Sequence, residues 1–183
     1  MRRLWAMASL MALFVAVLWW TVFHAHEVRK GIIFSAGMEL EMQAVQTIAR
    51  AAKSLLEVRL VEQGLVPDKA GEEVFRKVIK PIRLLESGRV WLFSRGRLVL
   101  GQDSDLPGTY RNKDIGQIFE LQKEKGAAHY QRLVQGITKG SQGAGWYVWL
   151  PDRGREQAAW TSFSLGPETW TVVLSIPESK ILV

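Results

Sequence analysis

Residues 145–163, GWYVWLPDRGREQAAWTSF, read as two β-strands joined by a polar turn, and each strand is apolar on both of its faces. Successive side chains of a strand point to opposite sides. Trp146, Val148 and Leu150 therefore share one face, and Tyr147 and Trp149 the other. In the partner strand Trp160 and Ser162 oppose Ala159, Thr161 and Phe163. An antiparallel sheet with one face in water alternates apolar and polar residues. This pair does not, so the sheet it belongs to needs a cover on each side.

The rest of the chain supplies two covers. From about residue 35 to Gly64, apolar residues recur at helical spacing: Met38, Met42, Val45, Ala49, Ala52 and Leu56, widened by Ile48 and Leu55. Glu39, Glu41, Lys53 and Glu57 lie off that stripe, and Gly64 followed by Pro67 marks its end. Asp68 is placed to cap a second helix that turns Val74, Phe75, Val78 and Ile79 inward and stops at Pro81. Two strands follow, RVWLFS and RLVLG, with a turn at Arg95-Gly96. The second cover is a helical stretch over about 115–138, with Ile115, Ile118, Phe119 and Leu121 inward in its first half and Tyr130, Leu133, Val134 and Ile137 in its second. Gly126 divides the two halves. After the hairpin, TWTVVLSIP makes a fifth strand and PESKIL begins another helix. The expected architecture is α+β: a five-stranded antiparallel sheet with helices on both faces.

Residues 4–23 carry no charge. As a helix they span about 30 Å, a bilayer core, and Trp5, Trp19 and Trp20 sit near the ends, where indoles favour the interface. The run exceeds a signal-peptide core and no small-x-small cleavage site follows. A transmembrane anchor is expected, with Arg2 and Arg3 inside, partly offset by Arg29 and Lys30 outside. It continues outward into the long helix, with Gly31 and Gly37 as weak joints.

Chemistry is hard to find. The chain has 183 residues, no cysteine and a net charge of +6, and the positive charge is scattered, without a run that would suggest a nucleic-acid tail. His24 and His26 have no third ligand nearby. Asp103, Asp105, Gly108 and Asp114 fall at calcium-loop positions, but Pro107 replaces a ligand and Asp114 the bidentate Glu. The glycines of 140–145 lack the lysine of a phosphate loop. His129 is the one histidine beyond the anchor region, and no G-x-S-x-G motif is present. Neither an enzyme, a cofactor nor a metal is indicated.

The order of elements, together with VWLFSRGRLVLG, DIGQIFELQKEKGAAHYQRLV, GAGWYVWLPDRGREQAAWTSF and TWTVVLSIPESKIL, resembles the Cache domains, extracytoplasmic relatives of the PAS fold that serve as input modules of bacterial membrane receptors. The resemblance implies a stub at 1–3, an anchor at 4–23, a juxtamembrane segment with the long helix over 24–67, and a sensor domain over 68–183, or 35–183 with the helix. In such receptors a second membrane helix leads to a histidine kinase, cyclase or chemotaxis module; with the sequence ending at Val183, the expectation is a sensor without its output, either a truncated reading frame or a stand-alone partner. The resemblance also implies a bacterial inner-membrane protein with its sensor outside, and a ligand held between the sheet and the helices crossing one face. Trp91, Phe93, Tyr147, Trp149, Trp160 and Ser162 are the strand candidates for that pocket, with Tyr130 and His129 closing it from the helix. Arg111 or Arg132 is placed to pair with a carboxylate, as of an organic acid or amino acid. The same aromatics equally suit a filled core, which would leave an envelope structural or assembly protein without a ligand. The long helix is also suited to pair with a second copy in a parallel dimer.

Overall fold

The computed structural model describes the backbone of residues 2–82, 87–102 and 108–181, with side chains from residue 14 onward apart from 30 and 34. The proposed calcium-loop residues Asp103 and Asp105 lie outside the described residues.

One helix, α1 (Arg2–Glu57), runs through the first third of the chain and winds into a π-helical turn, Val58–Glu62. At 1.5 Å per residue its 56 residues extend about 84 Å. Gly31 and Gly37 do not break it: neither carries a positive φ, and the helix closes at Gly64, whose φ of 64° suits a residue without Cβ. Among the described residues no helix is long and apolar enough to cross a membrane. Half of the expected anchor, residues 4–13, has side chains outside the described set; its other half, 14–23, exposes Trp19 and Trp20.

Helix α2 (Pro67–Val74) starts on Pro67 at its first position, with Val66 as its N-cap, so Asp68 is not the cap. Proline there fixes a helical φ and its missing N–H costs nothing, which removes the need for a capping side chain. Asp68 instead places negative charge in the first turn. The helix widens into a π-helical stretch, Phe75–Ile79, and stops before Pro81. Strands β1 (Arg89–Ser94) and β2 (Arg97–Gly101) join through Arg95 and Gly96 at φ 49° and 73°, the left-handed pair of a tight hairpin. Helix α3 (Ile115–Lys123) is closed by a capping box in which Asp114 accepts from Gly116 N at 2.7 Å and Gln117 Oε1 accepts from Asp114 N at 3.3 Å. Asp114 is thus spent on a helix start. Helix α4 (Gln131–Thr138) follows a turn that includes Gly126 at φ 95°. Strands β3 (Gly143–Val148), β4 (Arg155–Leu165) and β5 (Glu168–Pro177) and the short α5 (Glu178–Ile181) complete the domain.

The five strands form one antiparallel sheet in the order β2-β1-β5-β4-β3. The last strand sits in the middle, so the two hairpins are sewn together by β5. The free edge of β3 is occupied by Ala128, which exchanges backbone hydrogen bonds with Val148 at 3.0 and 2.9 Å. Covering an edge in this way removes a template for aggregation.

The central strands are buried on both faces, whereas on the edge strand β3 only Tyr147 is buried and Trp146 and Val148, on the other face, are half-buried. Against one face α1 and α2 pack Val45, Ala52, Leu56, Val74 and Ile79 on Val90, Leu92, Ala159, Trp170, Val172 and Leu174. Against the other, α3 and α4 pack Ile118, Phe119, Leu133 and Ile137 on Trp91, Phe93, Tyr147, Trp160 and Val173. Two helical assignments are corrected. Leu121 is 43% exposed and Gln122 takes the inward position. Glu41 is not off the stripe of α1 but buried, 4% exposed.

Candidate functional site

Register brings the aromatic strand residues onto one face. Trp91 pairs with Val173, Val173 with Trp160, and Phe93 with Thr171. Directly opposite residues share a face. Tyr147 joins them through β4, and Trp149, one residue past the end of β3, folds onto the same layer. Helix α3 contributes Phe119, whose ring is central: it stacks on Tyr130 at 4.6 Å and meets Tyr147 and Trp149 edge-on at 5.6 and 5.3 Å. Trp91 lies 5.5 Å from Trp149 and 6.2 Å from Tyr147. Edge-on and offset stacks of this kind place the positive ring edge on a negative face. Trp160 extends the layer beneath α4, and glycines make room for it: a Cβ on Gly143 would lie 2.7 Å from its ring, and one on Gly136 would strike it harder.

Six of the eight candidates thus meet in one layer: Trp91, Phe93, Tyr130, Tyr147, Trp149 and Trp160. Ser162 shares their face but sits at the far end of β4, bonded to Ser141 O at 3.0 Å and Thr171 Oγ1 at 2.8 Å. His129 stands outside. It is exposed, with a left-handed φ of 60°, and its ring lies 4.3 Å from Trp146, over which Arg155 also places its guanidinium at 4.5 Å. Arg111 pairs with Glu72 of α2, away from the layer, and Arg132 is exposed on α4.

A polar group at the end of this layer was not foreseen. Glu156, 1% exposed, accepts hydrogen bonds at Oε2 from Tyr147 Oη (3.1 Å) and Ser175 Oγ (2.8 Å), and Arg89 approaches its other oxygen at 3.6 Å. Tyr147 and Ser175 are also in contact at 2.8 Å. Burial, then the Glu156 charge, pushes the Tyr147 phenol well above its ordinary range. The Tyr130 phenol is raised in the same way, by burial and then by Glu120, to which it donates at 3.0 Å. The signal available in the sequence was Glu156 at an inward position of a strand otherwise apolar, with Tyr147 directly across the ladder.

The indole N–H groups of Trp91, Trp149 and Trp160 and the side-chain carbonyl of Gln122 are buried without a hydrogen-bond partner. An unpaired buried donor costs about 1–3 kcal/mol. All three of these donors lie in the aromatic layer. Among the described residues no group of three His, Asp or Glu could hold a metal ion.

No family model matches the chain, and no curated protein matches it. Among solved structures it is similar to the periplasmic sensory domain of the Campylobacter jejuni chemoreceptor Tlp1, at 18% identity and a TM-score of 0.47 over 61% of this chain and 36% of that one. It is also similar to an extracellular ligand binding receptor from Desulfohalobium retbaense, at 15% identity and a TM-score of 0.35 over 60% of this chain and 15% of that one. The chain thus spans about a third of the first and less than a sixth of the second.

Proposed function

We propose that the chain is a membrane-anchored, Cache-like extracytoplasmic sensor whose ligand enters the layer between the sheet and helices α3 and α4. The observation that carries this reading is the set of three unpaired indole N–H donors, from Trp91, Trp149 and Trp160, inside a wall of aromatic rings. Binding sites of this sort are apolar, with a few polar groups that fix orientation. A small organic acid or amino acid supplies the acceptors the indoles lack. Phe93 completes the wall and Tyr130 stands where the helices close it, while Ser162, at the far end of β4, and His129, outside the layer, are not part of it.

The uncharged run over 4–23 serves as the anchor, in a bacterial inner membrane, and α1 carries it without interruption into the sheet-covering stripe. Signalling to a histidine kinase or related output, and a parallel dimer through α1, belong to the same proposal. The reaction role is none: the chain reports occupancy and does no chemistry. The rival is an envelope structural protein with a filled core, favoured by the close ring contacts of the layer.

A thermal-shift screen of the full chain in detergent micelles against organic acids, amino acids and amines tests the reading. One compound class should raise the unfolding temperature, and Trp149→Phe, which removes an indole donor while keeping a ring, should reduce that shift. Silence across the whole set would favour the structural rival.

A further inference from the structure

The opposite face of the sheet holds a second site. Between α1, β5 and α5 runs a groove of about 580 Å³, walled by Ile33, Leu40, Leu174 and Ile176 and carrying two charged residues, Glu41 and Lys180. Its size is that of an ordinary small-ligand site. Lys180 is exposed at the rim. Glu41 is buried, and neither carboxylate oxygen has a hydrogen-bond partner.

A second unpaired group stands on the same face of the sheet. Gln157 is 0% exposed, and neither atom of its amide is hydrogen-bonded. Gln157 is the cross-strand partner of Ile176, which lines the groove, so its side chain stands on the same face as that wall. An isolated buried carboxylate is costly, and it is tolerated when it neutralises or finds a cation. Here burial alone raises the Glu41 carboxyl from 4.5 to about 8. The acceptors that the groove itself leaves open are the two Glu41 oxygens. An ammonium group carries three N–H donors and no acceptor.

We propose that this groove binds a primary aliphatic amine, its ammonium seated on Glu41 and its hydrocarbon chain laid along Leu40, Leu174 and Ile176. Charge and donor count select the head, and the apolar walls select the tail. The site lies across the sheet from the aromatic layer and does not depend on it. It lies on α1, so an amine there touches the helix that leads to the anchor.

The test is calorimetric titration of n-butylamine into the full chain in detergent micelles, at pH 7, in phosphate and in HEPES, with butan-1-ol and butyrate as controls. The expected result is saturable binding of butylamine and none of the controls. Seating a cation ionises a carboxyl that is about nine-tenths protonated at this pH, so binding should release close to one proton, read from the difference in heat between the two buffers. Glu41→Gln keeps the shape of the side chain and should weaken butylamine at least tenfold and abolish the proton release. Unsaturable binding, equal affinity in Glu41→Gln, or butan-1-ol binding as well as the amine would each overturn the proposal. Ligand responses of the aromatic layer, measured on the same variant, should be unchanged, so failure of one site is not mistaken for failure of the other.

Discussion

Glu41 sets a pH dependence of stability whose sign and size follow from its burial. Its carboxyl is raised from 4.5 to about 8 in the folded chain. Between these values the folded state keeps a proton that the unfolded state has released. Stability is therefore fully present below about pH 4.5 and is lost as pH rises toward 8, at about 1.4 kcal/mol per unit. The accumulated loss is about 1 kcal/mol at pH 5 and about 3 kcal/mol at pH 7. Glu41→Gln removes the ionisation and keeps the volume. Thermal unfolding of both proteins in amine-free phosphate, from pH 5 to pH 8, isolates the term, because every other titrating group cancels in the difference. For a chain of this size 1 kcal/mol moves the midpoint by roughly 2–4 °C, so the variant should lead by roughly 6–12 °C at pH 7 and by only a few degrees at pH 5. A constant offset across this range, or a variant less stable than the parent at pH 7, would refute the reasoning, since either would mean that Glu41 is solvated or paired when folded.

Gly136→Ala should destabilise the chain although it improves helix propensity: the new Cβ runs into the Trp160 indole, and overpacking costs about 1–3 kcal/mol against a gain of about 1 kcal/mol. A lowered midpoint with altered near-ultraviolet circular dichroism is the expected record, and an unchanged or higher midpoint counts against the packing described. Tyr147→Phe takes a donor from the buried Glu156 and should cost about 1–3 kcal/mol in urea unfolding. In the parent, the raised Tyr147 phenol keeps its contribution below about pH 10 and loses it above, so its phenolate absorbance should appear only with alkaline unfolding. Because the chain has no cysteine, Thr47→Cys on the exposed side of α1 reports the dimer directly. A disulfide-linked pair should form in membranes under mild oxidation, and monomer alone would exclude a parallel pairing at that position.

The layers were legible because burial on a strand follows a period of two. Tyr147 and Trp149 could be assigned to one side from alternation alone, whereas joining Trp160 to them took the register, and Gly96, Gly126 and Gly64 marked turns that all adopt positive φ. What stayed hidden was polar and buried. A Glu at position 41 reads as solvent-facing by type, yet it lies four residues before Val45 and so on the same face of α1, which the sheet covers. Gln122 displaced Leu121 from the inward position for a similar reason: it lies three and seven residues after Phe119 and Ile115, on the same face of α3. The quartet of Arg89, Tyr147, Glu156 and Ser175 comes from four different strands, and only the register joins them. His129 was misplaced because a left-handed residue turns its side chain away from the course a helix would give it.

The sheet is shared by two buried layers, and this bears on how occupancy of one could reach α1. A ligand shifts an equilibrium only by binding one arrangement more tightly than another. Strands β4 and β5 carry Trp160 and Val173 toward the aromatic layer and Ala159, Val172 and Leu174 toward α1, in alternation. A displacement of either strand therefore moves both layers together, since close-packed interiors transmit strain. At the end of β5 the chain turns into α5, where a Cβ on Gly37 of α1 would lie only 2.8 Å from Ile181. That close approach joins α1 to the segment that follows the central strand, one turn from Glu41. Gly37→Ala is accordingly the substitution that should separate sensing from folding. It leaves the aromatic layer untouched but forces α1 and α5 apart, so it should spare ligand affinity at that layer while altering any dimer cross-link along α1. An unchanged cross-linking pattern would mean that this contact carries no signal.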